Sequence, residues 1–175
     1  MSIIRWSLLL IISLTLVSCA CPQVAKKRGE PFPSRLVSSP TQKPAVIPSP
    51  RPALKAQSTV VATARRMLGT PYRYGGADPS GFDCSGLVSY AYRSVGIRVP
   101  RTSGEQFRQS VPVESNGLQP GDLLFFRLRP PKISHVAIYE GDGRFIHAPS
   151  SCKRVSYASL DNPYWRKHLV GAGRF

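Results

Sequence analysis

A thiol and two imidazoles stand in order along this chain: Cys84 in GFDCSGLV, His135 in SHVAIY and His147 in FIHAPS. Together they could form a nucleophilic centre in which Cys84 attacks, His135 carries the proton and His147 orients the ring of His135. The same donors could bind zinc, but the HxxxH or CxxC clustering common in zinc sites does not accompany them. Packing is the third reading, and it suits either histidine singly better than the pair. Cys84 stands where a helix should begin. A helix N-terminus favours negative charge, so the thiol is expected below its free value of about 8.5. Ser85 is adjacent, but a hydroxyl at a helix start more often caps or donates than attacks.

The spacing of the histidines carries a geometric expectation. They flank IYEGDGRFI, in which Gly141, Asp142 and Gly143 can form a three-residue hairpin loop with Gly143 left-handed. Glu140 then opposes Arg144, and His147 opposes Ala137. His135 lies one diagonal step away on the same face, at about 7–8 Å between Cα atoms. Val136, Ile138 and Ile146 turn to the opposite, core face, and the histidine face is expected to be polar.

These residues need elements to hold them. Ser58 as N-cap before TVVATARRMLG predicts a first helix closed by Gly69. A loop rich in Gly and Pro covers Pro71 to Phe82. A second helix is expected from Asp83 or Cys84 to Gly96, with Leu87, Val88 and Ala91 inward. Ser103 and Gln106 read as a capping box opening a short third helix. Beyond Gly121, DLLFFRL, SHVAIYE, RFIHA, KRVSYAS and HLVGAGRF read as short strands of a meandering antiparallel sheet. Helices first and strands second predict an α+β fold.

The chain has 175 residues with 24 Lys+Arg against 9 Asp+Glu, a formal charge of +15. Such a balance points to anionic partners. No RNA-binding aromatic motif or zinc-finger spacing argues for nucleic acid, which is not expected as a partner. Trp6 to Val17 is an apolar run too short for a permanent span and suited to a secretory signal. It ends in Leu16-Val17-Ser18-Cys19, which looks like a bacterial lipobox. The expectation is a signal peptide at 1–18, a lipidated Cys19 and membrane anchoring. Ala20, in place of Asp, suggests an outer-membrane lipoprotein facing the periplasm. Residues 19–57 hold eight prolines among Lys and Arg and read as an extended tether. The folded domain is expected at 58–175.

The ordered pieces LGTPYRYGG, GFDCSGLV, PRTSGEQF, LQPGDLLFF, SHVAIY and FIHAPS resemble the NlpC-type cell-wall peptidases, papain-like cysteine hydrolases that cut peptidoglycan stem peptides. The likeness spans 58–175 and includes the tail DNPYWRKHLVGAGRF. It implies a papain-like fold, with N-terminal helices packed on a short antiparallel sheet, and a lipid-anchored murein endopeptidase working without metal or cofactor as a monomer. Cys84 matches the family's nucleophile, His135 its base and His147 its third polar residue. Tyr72 matches a tyrosine whose hydroxyl lies near the oxyanion, while Asp83 and Ser85 match positions shaping the substrate-amine side. Amidase or acyltransferase chemistry would use the same triad, whereas a non-catalytic wall-binding module would not need it intact. Either the D-Ala–diaminopimelate or the γ-D-Glu–diaminopimelate bond fits as the one cut. Arg73, Arg101 and Arg127 are candidate contacts to stem-peptide carboxylates, with solubilising charge as the alternative. Cys152 matches no family position. Cys21 and Cys152 could pair in an oxidising compartment, or Cys152 is a loop residue without a role.

Overall fold

The computed structural model describes residues 50–150 and 152–175. The expected signal peptide, Cys19, Cys21 and the tether as far as residue 49 lie outside the described residues. The first helix, α1, spans Pro50–Arg66 and so begins inside the stretch expected to be tether. Ser58 is not its cap. The Ser58 hydroxyl donates back to the Lys55 carbonyl at 2.9 Å, within the helix. Prolines 50 and 52 fall in the first turn, where backbone N–H groups lack intrahelical partners anyway. A proline-rich stretch can therefore open a helix, which the composition alone obscured.

After α1 come β1 (Ala77–Asp78), β2 (Gly81–Phe82), α2 (Cys84–Arg93), α3 (Ser103–Gln109), β3 (Val111–Val113), β4 (Leu123–Phe126), β5 (His135–Gly141), β6 (Arg144–His147), β7 (Ser156–Ser159), α4 (Pro163–His168) and β8 (Leu169–Arg174). The cap of α3 is Thr102, whose hydroxyl accepts from the Glu105 amide and donates to the Glu105 carboxylate at 2.7 Å. The expected capping box is thus displaced by one residue. Gln106 is fully buried instead, and its amide donates to the carbonyls of Ser85 and Pro100 at 3.2 and 2.8 Å.

Six strands form one antiparallel sheet in the order β3-β8-β4-β5-β6-β7. The run from β4 to β7 is the expected meander, but β8 returns to lie between β3 and β4. An ion pair with one buried partner holds it there. The Asp122 carboxylate, 0% exposed, accepts from Arg174 Nε at 2.6 Å and from the Arg174 Nη2 at 2.8 Å. Removing Arg174 would leave the buried Asp122 carboxylate unpaired, at a cost of up to about 3 kcal/mol, the low end for buried pairs because Arg174 is partly exposed.

Both faces of the sheet are covered. Leu123, Phe125, Val136, Ile138 and Ile146 pack with Val60, Val61 and Ala64 of α1 and Leu87, Val88 and Ala91 of α2. Leu124, Phe126, Ala137 and Phe145 form a second cluster on the opposite side, with Trp165 of α4 and Leu169 of β8 against it. Each of these large side chains contributes roughly 1.5–3 kcal/mol by leaving water. The histidine face is therefore not polar as expected but the floor of a second core. Among the described residues, no helix is long and apolar enough to cross a membrane.

The β5–β6 hairpin keeps the expected register where it matters, pairing Ile138 with Ile146 and Tyr139 with Phe145. The loop is tighter than expected: Gly141 pairs with Arg144, and a bulge falls between Tyr139 and Gly141. Asp142 and Gly143 both have positive φ, 49° and 71°, as a two-residue turn of primed type requires. Glu140 still meets Arg144 through an ion pair of 3.1 Å.

Candidate active site

The start of α2 is built by its cap. Asp83 is extended, and its Oδ1 accepts from the Gly86 amide at 2.7 Å while Oδ2 accepts from the Gly75 amide at 3.0 Å. The first turn presses against the glycine loop so closely that a Cβ on Gly86 would lie 2.0 Å from the Gly76 carbonyl oxygen. Only glycine fits there. This leaves Cys84 half-buried at the helix terminus, the free thiol among the described residues. Burial pushes its pKa up, and the Asp83 charge adds to that. The backbone amides of Val136, Ser85 and Cys84 act on the sulfur in the opposite sense without prevailing. The expectation of a lowered thiol is overturned, because loss of water around the sulfur outweighs the helix terminus.

Val136 follows His135, so its action on the sulfur sets the thiol beside the start of β5. His135 and His147 are 2% and 4% exposed. Their rings meet through His135 Nε2 and His147 Nδ1 at 2.9 Å, as the shared sheet face implies. Burial, then the neighbouring His147, lowers His135 to about 3. Burial, then the nearby Lys153 ammonium, lowers His147 to about 4. Both rings are neutral near pH 7. With Nε2 of His135 engaged, its Nδ1 is the nitrogen left to exchange a proton. That role needs the Nε2–H tautomer of His135, donating to an unprotonated Nδ1 of His147. The depressed pKa of His147 keeps it such an acceptor.

Trp165, which the strand-based reading of the tail passed over, closes this side. Its ring stacks on His135 at 5.6 Å and 30°, and stands edge-on to His147 at 4.9 Å and 88°. The helix carrying it had a legible start. Asn162 caps α4, accepting from the Tyr164 amide at 2.9 Å, with Pro163 next, the usual order of cap and first-turn proline.

The opposite side is polar. Arg101 grips Asp83 with both terminal nitrogens, at 2.9 and 2.7 Å, and donates to the Ser85 hydroxyl at 3.0 Å. Ser85 is thus a partner within this network. Tyr72 is half-buried, held through its amide to the Lys153 carbonyl at 2.8 Å and bridged to Phe82. Burial, then the proximity of Cys84 and Asp83, raises its pKa, so the phenol remains a hydrogen-bond donor. The structure gathers Tyr72, Asp83, Cys84 and Ser85 around the start of α2 and the two histidines at the neighbouring strand end. Arg73 donates to the Ser80 hydroxyl at 2.9 Å, so it and Arg101 already have protein partners. Cys152 is disulfide-bonded. Among the described residues, no cluster of His, Cys, Asp and Glu is arranged to hold a metal ion.

Similarity to known proteins follows the same residues. Residues 69–174 match the NlpC/P60 family. The chain is 43% identical over 125 residues to murein DD-endopeptidase MepH of Escherichia coli, covering 69% of this chain and 46% of that protein. It is 40% identical over 131 residues to the gamma-D-glutamyl-L-lysine dipeptidyl-peptidase of Bacillus cereus, covering 74% and 38%. A crystal structure of an NlpC/P60 family protein from Bacillus cereus superposes with a TM-score of 0.65 at 39% identity, over 68% of this chain and 40% of that one. The chain spans less than half the length of these relatives. The expected papain-like α+β fold stands, and the chain belongs to the NlpC/P60 family.

Proposed function

We propose that this protein is a lipid-anchored peptidoglycan endopeptidase that hydrolyses a stem-peptide or cross-link amide through Cys84, His135 and His147. The observation that carries this reading is the 2.9 Å contact between His135 Nε2 and His147 Nδ1, which leaves Nδ1 of His135 for the thiol proton. The names of the relatives at 43% and 40% identity support the substrate class. The lipobox at Cys19 supports the anchor.

The resting pair is a neutral thiol and a neutral imidazole. As Cys84 attacks the scissile carbonyl, its proton passes to His135 Nδ1, and the new imidazolium is stabilised through Nε2–H by His147. The negative oxygen that develops is met by the Cys84 amide at the start of α2 and by the Tyr72 hydroxyl. Collapse breaks the C–N bond, and His135 returns the proton to the departing amine. Water then attacks the thioester with His135 as base, releasing the carboxylic acid and restoring the thiol.

Digestion of purified wall with the full-length protein, followed by mass spectrometry of the products, tests the activity and identifies the bond. No fragments from the wild type, or equal release by Cys84→Ser, would remove this reading. For the anchor, Cys19→Ala should give an unprocessed or mislocalised protein on membrane fractionation, and a variant processed and located like the wild type would count against lipidation.

A further inference from the structure

A second feature adjoins the polar side of the site. A groove of about 360 Å³ runs along α2, rimmed by Arg93, Arg98 and Arg101 over a floor that includes Ser89, Ile97 and Val99. No acidic side chain lines it. Arg101 is committed to Asp83 at 2.7 Å. Arg93 and Arg98 are exposed and form no ion pair among the described residues. Arg93 reaches the Ala77 carbonyl at 3.5 Å and lies over the Tyr90 ring at 5.9 Å from its centroid, with no carboxylate partner among the described residues. Two uncompensated guanidiniums above a half-apolar floor suit a short alkyl chain ending in a carboxylate, which such a planar fork binds with two parallel hydrogen bonds.

Position ties the groove to the reaction. Arg101 belongs to both, since it lines the groove and also donates to Ser85, the residue after Cys84. Arg93 stands nine residues along the helix from Cys84, roughly 13 Å at 1.5 Å per residue and about two and a half turns on, so the two side chains leave opposite flanks of α2. A peptide passing around the helix needs at least about four extended residues to join them. Resting on the endopeptidase reading, we propose that this groove is a subsite for a free carboxylate of the wall peptide at least about four residues from the bond cut. The subsite selects long or cross-linked peptides over short ones.

The test measures binding, so it does not depend on turnover. Full-length Cys84→Ser protein is titrated with a fluorescent cross-linked wall peptide of two joined stems bearing free side-chain carboxylates and, separately, with its fully amidated twin, by anisotropy. The acid should bind about tenfold tighter. Adding Arg93→Gln and Arg98→Gln should abolish that preference, whereas Arg93→Lys with Arg98→Lys should keep part of it. A control pair, Arg108→Gln with Lys167→Gln, removes the same charge elsewhere and should leave the preference intact. Equal affinity for acid and amide, or an equal loss in the control pair, overturns the subsite. A wild type that releases nothing from wall yet prefers the acid defeats the endopeptidase reading and retains the groove.

Discussion

On the Asp83 side of Cys84 charge is kept and compensated. The carboxylate is capped by two backbone amides and gripped by Arg101, whose side chain is still 42% exposed. On the His135 side charge is suppressed. Two imidazoles share a hydrogen bond beneath Trp165 and are held far below their ordinary value by burial. One side can meet a charged substrate at little cost in solvation. The other is dry, so a proton placed there is energetically high and is released readily. The thiol between them is raised as well. The expected resting state is therefore neutral, with the ion pair formed during attack.

The largest effects should come from breaking the dry side together with the thiol. Cys84→Ser should reduce wall cleavage to background, on the order of 10⁴-fold or more, with an unchanged circular dichroism spectrum. His135→Ala should lose nearly as much. His147→Ala removes only the orienting acceptor and should lose about 10²-fold, near the lower end of acid–base contributions. Equal inactivity of both histidine variants in steady-state assays would refute the division of roles.

Trp165→Ala should come next, costing about 3 kcal/mol of stability by denaturant titration. It should also raise both imidazole pKa values towards 6.5 by letting water in, moving the acid limb of the rate profile to higher pH. Trp165→Phe should restore most of both. A loss of stability without any shift of the limb would make the tryptophan a packing residue only.

Neutral resting groups also make a pH signature. Both histidines have folded pKa values, about 3 and about 4, below the ordinary 6.5. The unfolded chain thus binds more protons between these limits, and stability rises with pH through that window. Thermal midpoints should fall as the solution is taken from pH 7 to pH 4. Alkylation of Cys84 by iodoacetamide should be slow at neutral pH and climb into the alkaline range. A rate already flat from pH 5 would reveal a preformed thiolate–imidazolium pair.

The smallest effects should fall on the exposed side. Asp83→Ala should cost roughly 1–2 kcal/mol as a lost helix cap. Arg101→Gln should cost under about 1 kcal/mol and show less salt dependence than the parent, because a half-exposed pair is screened.

The helix at Cys84 and the β5–β6 register were legible because both follow local rules, an apolar stripe of helical period and a turn with glycine at its tip. The start of α1 was not, since proline content signals a tether and says nothing of which prolines fall in a first turn. The place of β8 was hidden because it depends on Asp122 meeting Arg174, fifty-two residues apart. Types and order of residues determined that a thiol and two histidines could cooperate, and periodicity put both histidines on one sheet face. Tertiary structure decided the environment: a second core over that face, Trp165 arriving from the C-terminal segment, and burial strong enough to reverse the expected shift of Cys84. Desolvation depends on every element that packs around a group, and no local stretch of sequence contains them all.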